Sequence, residues 1–204
     1  MIRNSIIRLL TVGSLATVLA ACSLVPKGPE LTVYQLPQRE VQKQNTVPAS
    51  DVLRVALPYS RNYLDTHRVI VVTPEKSLAV MEGIRWEDLG PVVFRDSLIR
   101  ALRSAGIYRV VINEDTAAGD YSLRSDLHDF QLDYSVEPAQ VVISLDASLS
   151  NLKVKDYPIN TASFTARSTI SDNSKGAILN AFADANQQVQ SEIIQWLSMQ
   201  PLAQ

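Results

Sequence analysis

The sequence predicts an α+β domain, with a largely antiparallel sheet and helices packed on one face. Three observations carry that expectation. Residues 121–170 alternate apolar and polar side chains over most of their length, which is strand patterning. Residues 91–106 and 178–196 instead repeat apolar residues at steps of three and four, which is helix patterning. Between residues 68 and 73 a β-branched run, Val69-Ile70-Val71-Val72-Thr73, matches a central strand covered on both faces.

The chain begins with Arg3 and Arg8 around short apolar residues, and Leu9 to Ala20 then carries no charge, the layout of an export signal. Those twelve residues, at about 1.5 Å each, reach only about 18 Å, against roughly 30 Å of hydrocarbon in a bilayer. The run ends in Leu19-Ala20-Ala21-Cys22, which matches the bacterial lipobox: small residues fit the signal peptidase and the thiol takes a diacylglycerol. Residues 1–21 are therefore expected to be a cleaved lipoprotein signal peptide, with lipid attached at Cys22. A buried core cysteine is the competing reading. It fits poorly between an Arg-flanked apolar run and Val25-Pro26-Lys27-Gly28-Pro29. With one cysteine in the chain, no internal disulfide can form.

Two or three acyl chains on one residue make a lasting anchor, because each buried methylene adds about 0.8 kcal/mol. Ser23, where an aspartate is absent, resembles the pattern that proteobacteria forward to the outer membrane, which would leave the protein facing the periplasm. Residues 22–30 read as a tether stiffened by Pro26 and Pro29, and 31–204 as a single α+β domain.

Within that domain, Leu31, Val33 and Leu36 open a strand before Pro37, and Val52 to Leu57 form a second that Pro58 closes. A tyrosine-rich turn from Tyr59 to Asp65 leads to the run at 68–73. The first helix spans Pro91 to Gly106, with Phe94, Leu98, Ala101, Leu102 and Ala105 on its apolar side. Ile107 to Ile112 returns to strand. Tyr121, Leu123 and Leu127 share one parity while Phe130, Leu132 and Tyr134 share the other, so a β-bulge is expected near His128-Asp129. Val141 to Leu149 and Ala162 to Ile170 complete an antiparallel meander with one wet face. Ile178, Phe182, Ala185, Val189, Ile193 and Trp196 mark the closing helix, whose stripe fits a core better than a lipid groove.

Composition excludes several functions. Removing residues 1–21 takes away Arg3 and Arg8 and no acid, leaving 17 basic against 21 acidic residues, a net charge of −4. Nucleic acid is not an expected partner, since phosphate binding needs clustered cations. No Gly-x-Ser-x-Gly elbow, Walker motif or Gly-x-Gly-x-x-Gly occurs, so no catalytic residue and no cofactor is expected. Asp126 and His128 would share one side of a strand, but a metal needs further ligands and the only other histidine is His67. Metal ligation is therefore not expected. Trp86 fits a core staple for the following helix better than a partner anchor, while Tyr59 and Tyr63 fit either role.

Several of these parts recur together: the lipobox Cys22, Tyr34-Gln35-Leu36, Val52 to Pro58 with tyrosines just after, and Trp86-Glu87-Asp88-Leu89 before a helix carrying Leu98 and Leu102. Tyr121-Ser122-Leu123 to Phe130, the strand Val141 to Leu149 and the ending Glu192 to Leu197 continue the series. In this order the chain resembles the ABC-type transport auxiliary lipoprotein family over nearly all of its mature length. The resemblance implies a non-catalytic subunit of an envelope lipid transporter. Its implied partners are an inner-membrane ABC permease and ATPase and a substrate-binding protein with a mammalian-cell-entry (MCE) domain. It further implies a phospholipid or similar cargo and a homo-oligomeric ring. Two other readings stay open: a periplasmic carrier holding one lipid in a closed pocket, and an envelope assembly lipoprotein unrelated to transport.

Overall fold

The longest run of alternating residues becomes the axis of the sheet. The computed structural model describes residues 32–44, 49–114, 118–154 and 158–200. The signal peptide, Cys22 and the tether lie outside the described residues. In chain order the elements are β1 (Val33–Tyr34), β2 (Ala49–Val55), β3 (Tyr59–Ser60), β4 (Arg68–Val72), β5 (Leu78–Trp86), α1 (Gly90–Ala105), β6 (Tyr108–Asn113), β7 (Tyr121–Asp133), β8 (Gln140–Asn151), β9 (Asn160–Thr169) and α2 (Lys175–Ser198).

All nine strands join one mixed sheet, which corrects the expectation of a largely antiparallel one. On one edge of β7, β8 runs antiparallel from Tyr121↔Asn151 to Asp133↔Gln140, and β9 follows it antiparallel. The other edge is built differently. There β2, β3 and β4 lie end to end, each parallel to β7, at Leu53↔Tyr121, Tyr59↔Asp126 and Ile70↔Gln131. β6 on β2 and β1 on β5 are parallel as well. Alternation reports which side chains are buried and says nothing about strand direction, so only a hairpin-linked meander announces its own pairing.

The bulge falls where parity changes. The β7–β8 register shifts between Leu127 and Asp129, leaving His128 as the extra residue, so that Leu127 and Phe130 are both buried. β4 also meets its expectation, with Val69, Ile70 and Val71 buried in succession between β5 and β7. β5 had no expectation. Gly83, at φ 72°, breaks the alternation inside it, and the β4–β5 register shifts between Arg68 and Ile70.

α1 carries Pro91 in its first turn and ends at Gly106 in the left-handed region (φ 70°), whose N–H donates to the Leu102 carbonyl at 3.3 Å. α2 starts at Ser174, whose hydroxyl accepts from the Ala177 N–H at 3.2 Å, satisfying one orphan donor of the first turn. Trp86 is fully buried, its ring 5.8 Å from Phe130 of β7 and 5.1 Å from Phe182 of α2. Phe94 of α1 meets the same Phe130 ring at 6.4 Å. This ring cluster joins β5, β7 and both helices. Among the described residues, no helix is long and apolar enough to cross a membrane.

Candidate functional site

Three polar centres stand out against this apolar frame. The first is an open groove of about 600 Å³ on the meander, lined by Arg124, Asp126, Asp146, Ser148, Thr161 and Ser163. Strand register builds it: Asp126 lies opposite Asp146, and Asp146 opposite Ser163. Two carboxylates directly across a sheet repel. Asp146 is compensated on both oxygens, since the Ser163 hydroxyl donates to Oδ1 at 2.5 Å and His128 Nε2 hydrogen-bonds Oδ2 at 2.9 Å. Those two bonds, the serine first, hold its carboxyl below the usual aspartate range.

His128 thus pairs with Asp146 on the next strand and not with Asp126 on its own, because the bulge displaces it from the simple two-residue repeat. The trio of Ser163, Asp146 and His128 contains the residue types of a hydrolase, in the wrong order. The carboxylate sits in the middle and receives the serine proton, whereas an activated serine gives its hydrogen to the imidazole. Among the described residues, no three His, Cys, Asp or Glu side chains are grouped to hold a metal ion. What this groove can do chemically is accept and donate hydrogen bonds to a polar surface.

The second centre lies at the start of β7. Lys153, after β8, reaches Asp51 of β2 at 2.7 Å and Asp120 at 3.2 Å, and Asp120 also accepts from the Val52 N–H at 2.7 Å. That backbone bond first, with Lys153 adding to it, lowers the pKa of Asp120; the bond to Asp51 and then that to Asp120 raise the pKa of Lys153. The Asn151 side chain caps the same turn, accepting from the N–H groups of Lys153 and Val154 and donating to the Tyr121 hydroxyl. Tyr108 stands beside it, its ring centroid 6.1 Å from that of Tyr121. Burial first, and then Tyr121 and Asp51, push its phenol well above the ordinary tyrosine range.

The third centre is buried between the helices. Ser97 of α1 is fully buried, and its hydroxyl accepts from Asn186 Nδ2 and Gln190 Nε2 of α2, each at 2.7 Å, while Gln38 closes over it at 3.0 Å. Arg39 extends the clasp to Asp184 at 2.9 Å, and the Gln44 N–H donates to the Ala105 carbonyl at 3.0 Å. Residues 38–44 therefore run as a strap over both helices. Sequence reasoning missed this centre and the Lys153 clamp. The only signal of the first was polar residues at 186 and 190 inside a long apolar stripe.

Trp86 belongs to the core, with no exposed surface. The tyrosines divide: Tyr59 is 75 % exposed, whereas Tyr63 donates its hydroxyl to the His128 carbonyl at 3.1 Å. Burial first, and then the nearby Asp129, raise the Tyr63 phenol.

Together the ring-filled core and the polar centres around it define an α+β domain on a mixed sheet. The chain belongs to the family described as ABC-type transport auxiliary lipoprotein component, which it matches over residues 34–194. This places it among envelope lipoproteins that serve ABC transport. Its fold is similar to that of protein XCC0632 from Xanthomonas campestris, with a TM-score of 0.73 and 26% identity over 82% of this chain and 95% of that one. An uncharacterized protein shares the fold at 18% identity and a TM-score of 0.66, over 82% of this chain and 99% of that one. So does the hypothetical protein CT253 from Chlamydia trachomatis, at 13% identity and a TM-score of 0.52, over 74% and 96% of the two chains. No curated protein matches the chain.

Proposed function

We propose that the mature protein is a non-catalytic adaptor, anchored through a lipid on Cys22 to the outer membrane and facing the periplasm, in an ABC/MCE-type envelope lipid transport system. The single observation that carries this reading is the family match over residues 34–194, which begins a short distance after a lipobox cysteine. The arrangement around Asp146 supports the non-catalytic part, because the Ser163 hydroxyl is committed to a carboxylate and His128 to the same one. An adaptor needs surfaces and a rigid frame, and the ring cluster of Trp86, Phe94, Phe130 and Phe182 supplies the frame.

Its partners in this reading are an MCE-domain protein and an inner-membrane permease and ATPase, with a phospholipid or similar molecule as cargo and a homo-oligomeric ring as the working form. The carrier alternative is weaker, since the space between the sheet and helices is filled by those rings and by Leu98, Leu102 and Val189. Fractionation and complementation of Cys22→Ala test the adaptor directly. The expected result is a protein lost from the outer-membrane fraction and a defect in lipid homeostasis; full complementation by a membrane-retained variant contradicts it. Crosslinking and pull-down of the wild type should recover the MCE protein. Native mass spectrometry of the acyl-free domain should show no bound lipid, and a bound lipid there favours the carrier.

A further inference from the structure

Both ends of the sheet expose aliphatic side chains, and they differ in how far along the strands they lie from the point where the chain enters at Val33. At the end where β4 turns into β5, Leu78 and Val80 are 53 % and 44 % exposed, and Ala79 between them is exposed too. β5 pairs with β4 on one side, while β1 takes the other side only at Arg85 and Trp86. An apolar edge of this kind is usually blunted by charge, proline or cover. Leu78-Ala79-Val80 carries none of these. Val72 is in register with both Leu78 and Asp133, which brings the β7–β8 connection and its exposed Val136 to the same end.

The chain enters the sheet from the side of that end. β1 is parallel to β5, with Val33 beside Arg85, so the chain enters β1 from the side on which Leu78 lies. Arg68 is level with Arg85 and Val72 with Leu78, four residues apart along β4, or about 13 Å. The ten residues from Cys22 to Leu31 span at most about 35 Å. A lipid on Cys22 therefore enters a bilayer with slack in the tether when the Leu78 end rests on that bilayer. The opposite end carries the β8–β9 connection, with Leu152, Val154 and Ile159 exposed. It lies about 26 Å the other way, because the register of Ile70 with Gln131 sets Arg68 level with Asp129, eight residues beyond Tyr121. Contact there takes up about three quarters of that reach, against the conformational entropy of the tether.

We infer that Leu78, Val80 and Val136 dip into the interface of the bilayer that holds the Cys22 lipid, forming a second, non-covalent membrane contact that orients the domain. This rests on the lipid-anchor reading above. The occupant is a phospholipid surface, recognised by burial of aliphatic side chains at a tip whose nearest charges are Glu75 and Lys76 beside β5 and Glu137 beside Val136. The same orientation turns Leu152, Val154 and Ile159 away from the membrane.

The test uses lipidated mature protein reconstituted into vesicles of phosphatidylethanolamine with a minor share of phosphatidylglycerol. Cys22 is the only cysteine and its thiol is taken by the lipid, so Leu78→Cys, Val136→Cys and Val154→Cys each accept one fluorescent label. Labels at 78 and 136 should be quenched by brominated lipid and protected several-fold from an aqueous quencher, relative to 154. Leu78→Asp combined with Val80→Asp should abolish the lipid quenching at 136 while the protein still floats with the vesicles. Equal aqueous access at 78 and 154 overturns the inference. Protection at 78 without lipid quenching, lost on dilution, also overturns it and identifies a second copy as the occupant. Wild-type protein that fails to float overturns the anchor reading itself, an outcome separate from the others.

Discussion

The two edges of β7 are made by different means. On one, β8 pairs with it through an antiparallel hairpin along its whole length, so each contact lies close in sequence. On the other, three short pieces, β2, β3 and β4, share the work in parallel, interrupted by Pro58 and by the turn from Arg61 to His67. Parallel pieces need distant chain to return to them, which local patterning does not specify. The meander edge should therefore tolerate surface change, whereas the segmented edge depends on the ring cluster and helices that hold it.

Deleting His128 should have the largest effect. Without the extra residue, Phe130 and Leu132 turn to the wet face or Tyr121 to Leu127 must do so, and cooperative unfolding in circular dichroism should be lost. Phe130→Ala comes next. It empties the space among Trp86, Phe94 and Phe182 that joins both edges to the helices, at a cost of about 3–5 kcal/mol in urea denaturation. Ser97→Ala should cost about 1–3 kcal/mol, because the Asn186 and Gln190 amides lose their buried acceptor. A local effect follows for Lys153→Met, where amide exchange at 152–154 should accelerate with the global midpoint nearly unchanged. His128→Ala keeps the backbone bulge and should change stability by less than about 0.5 kcal/mol, with full complementation.

Acid sharpens the same comparison. The carboxyls of Asp120 and Asp146 are held below their unfolded range, so their contribution is present above the unfolded aspartate value of about 3.9 and fades as pH falls through the lower folded values. Lys153 is raised, so its contribution is present below about 10.4 and fades as pH rises through its folded value. Amide protection around the β7 start, taken relative to the intrinsic exchange rate at each pH, should thus fall at both extremes and stay high between them.

Much of the meander edge was legible in the sequence. Opposite parity at Leu127 and Phe130 located the bulge, and alternation located β8 and β9, because one face is wet. The helix from Pro91 to Gly106 was legible from its punctuation and stripe, and Trp86 from the helix that follows it. Strand direction on the other edge was not, since Leu53 and Ile70 are buried alike in either direction. β5 stayed hidden because Gly83 breaks its period. The polar centres depend on long-range meetings, Lys153 with Asp51 and Ser97 with Gln190, which no local window contains.

The proposed covalent anchor at Cys22 underlies both the proposed localisation and the proposed orientation. Intact mass spectrometry of the protein extracted from envelope membranes tests it most directly. The account predicts a chain that begins at residue 22 and carries the added mass of a diacylglycerol, with or without a further acyl group. A mature product that retains Met1, or one that begins at Cys22 without lipid, contradicts it.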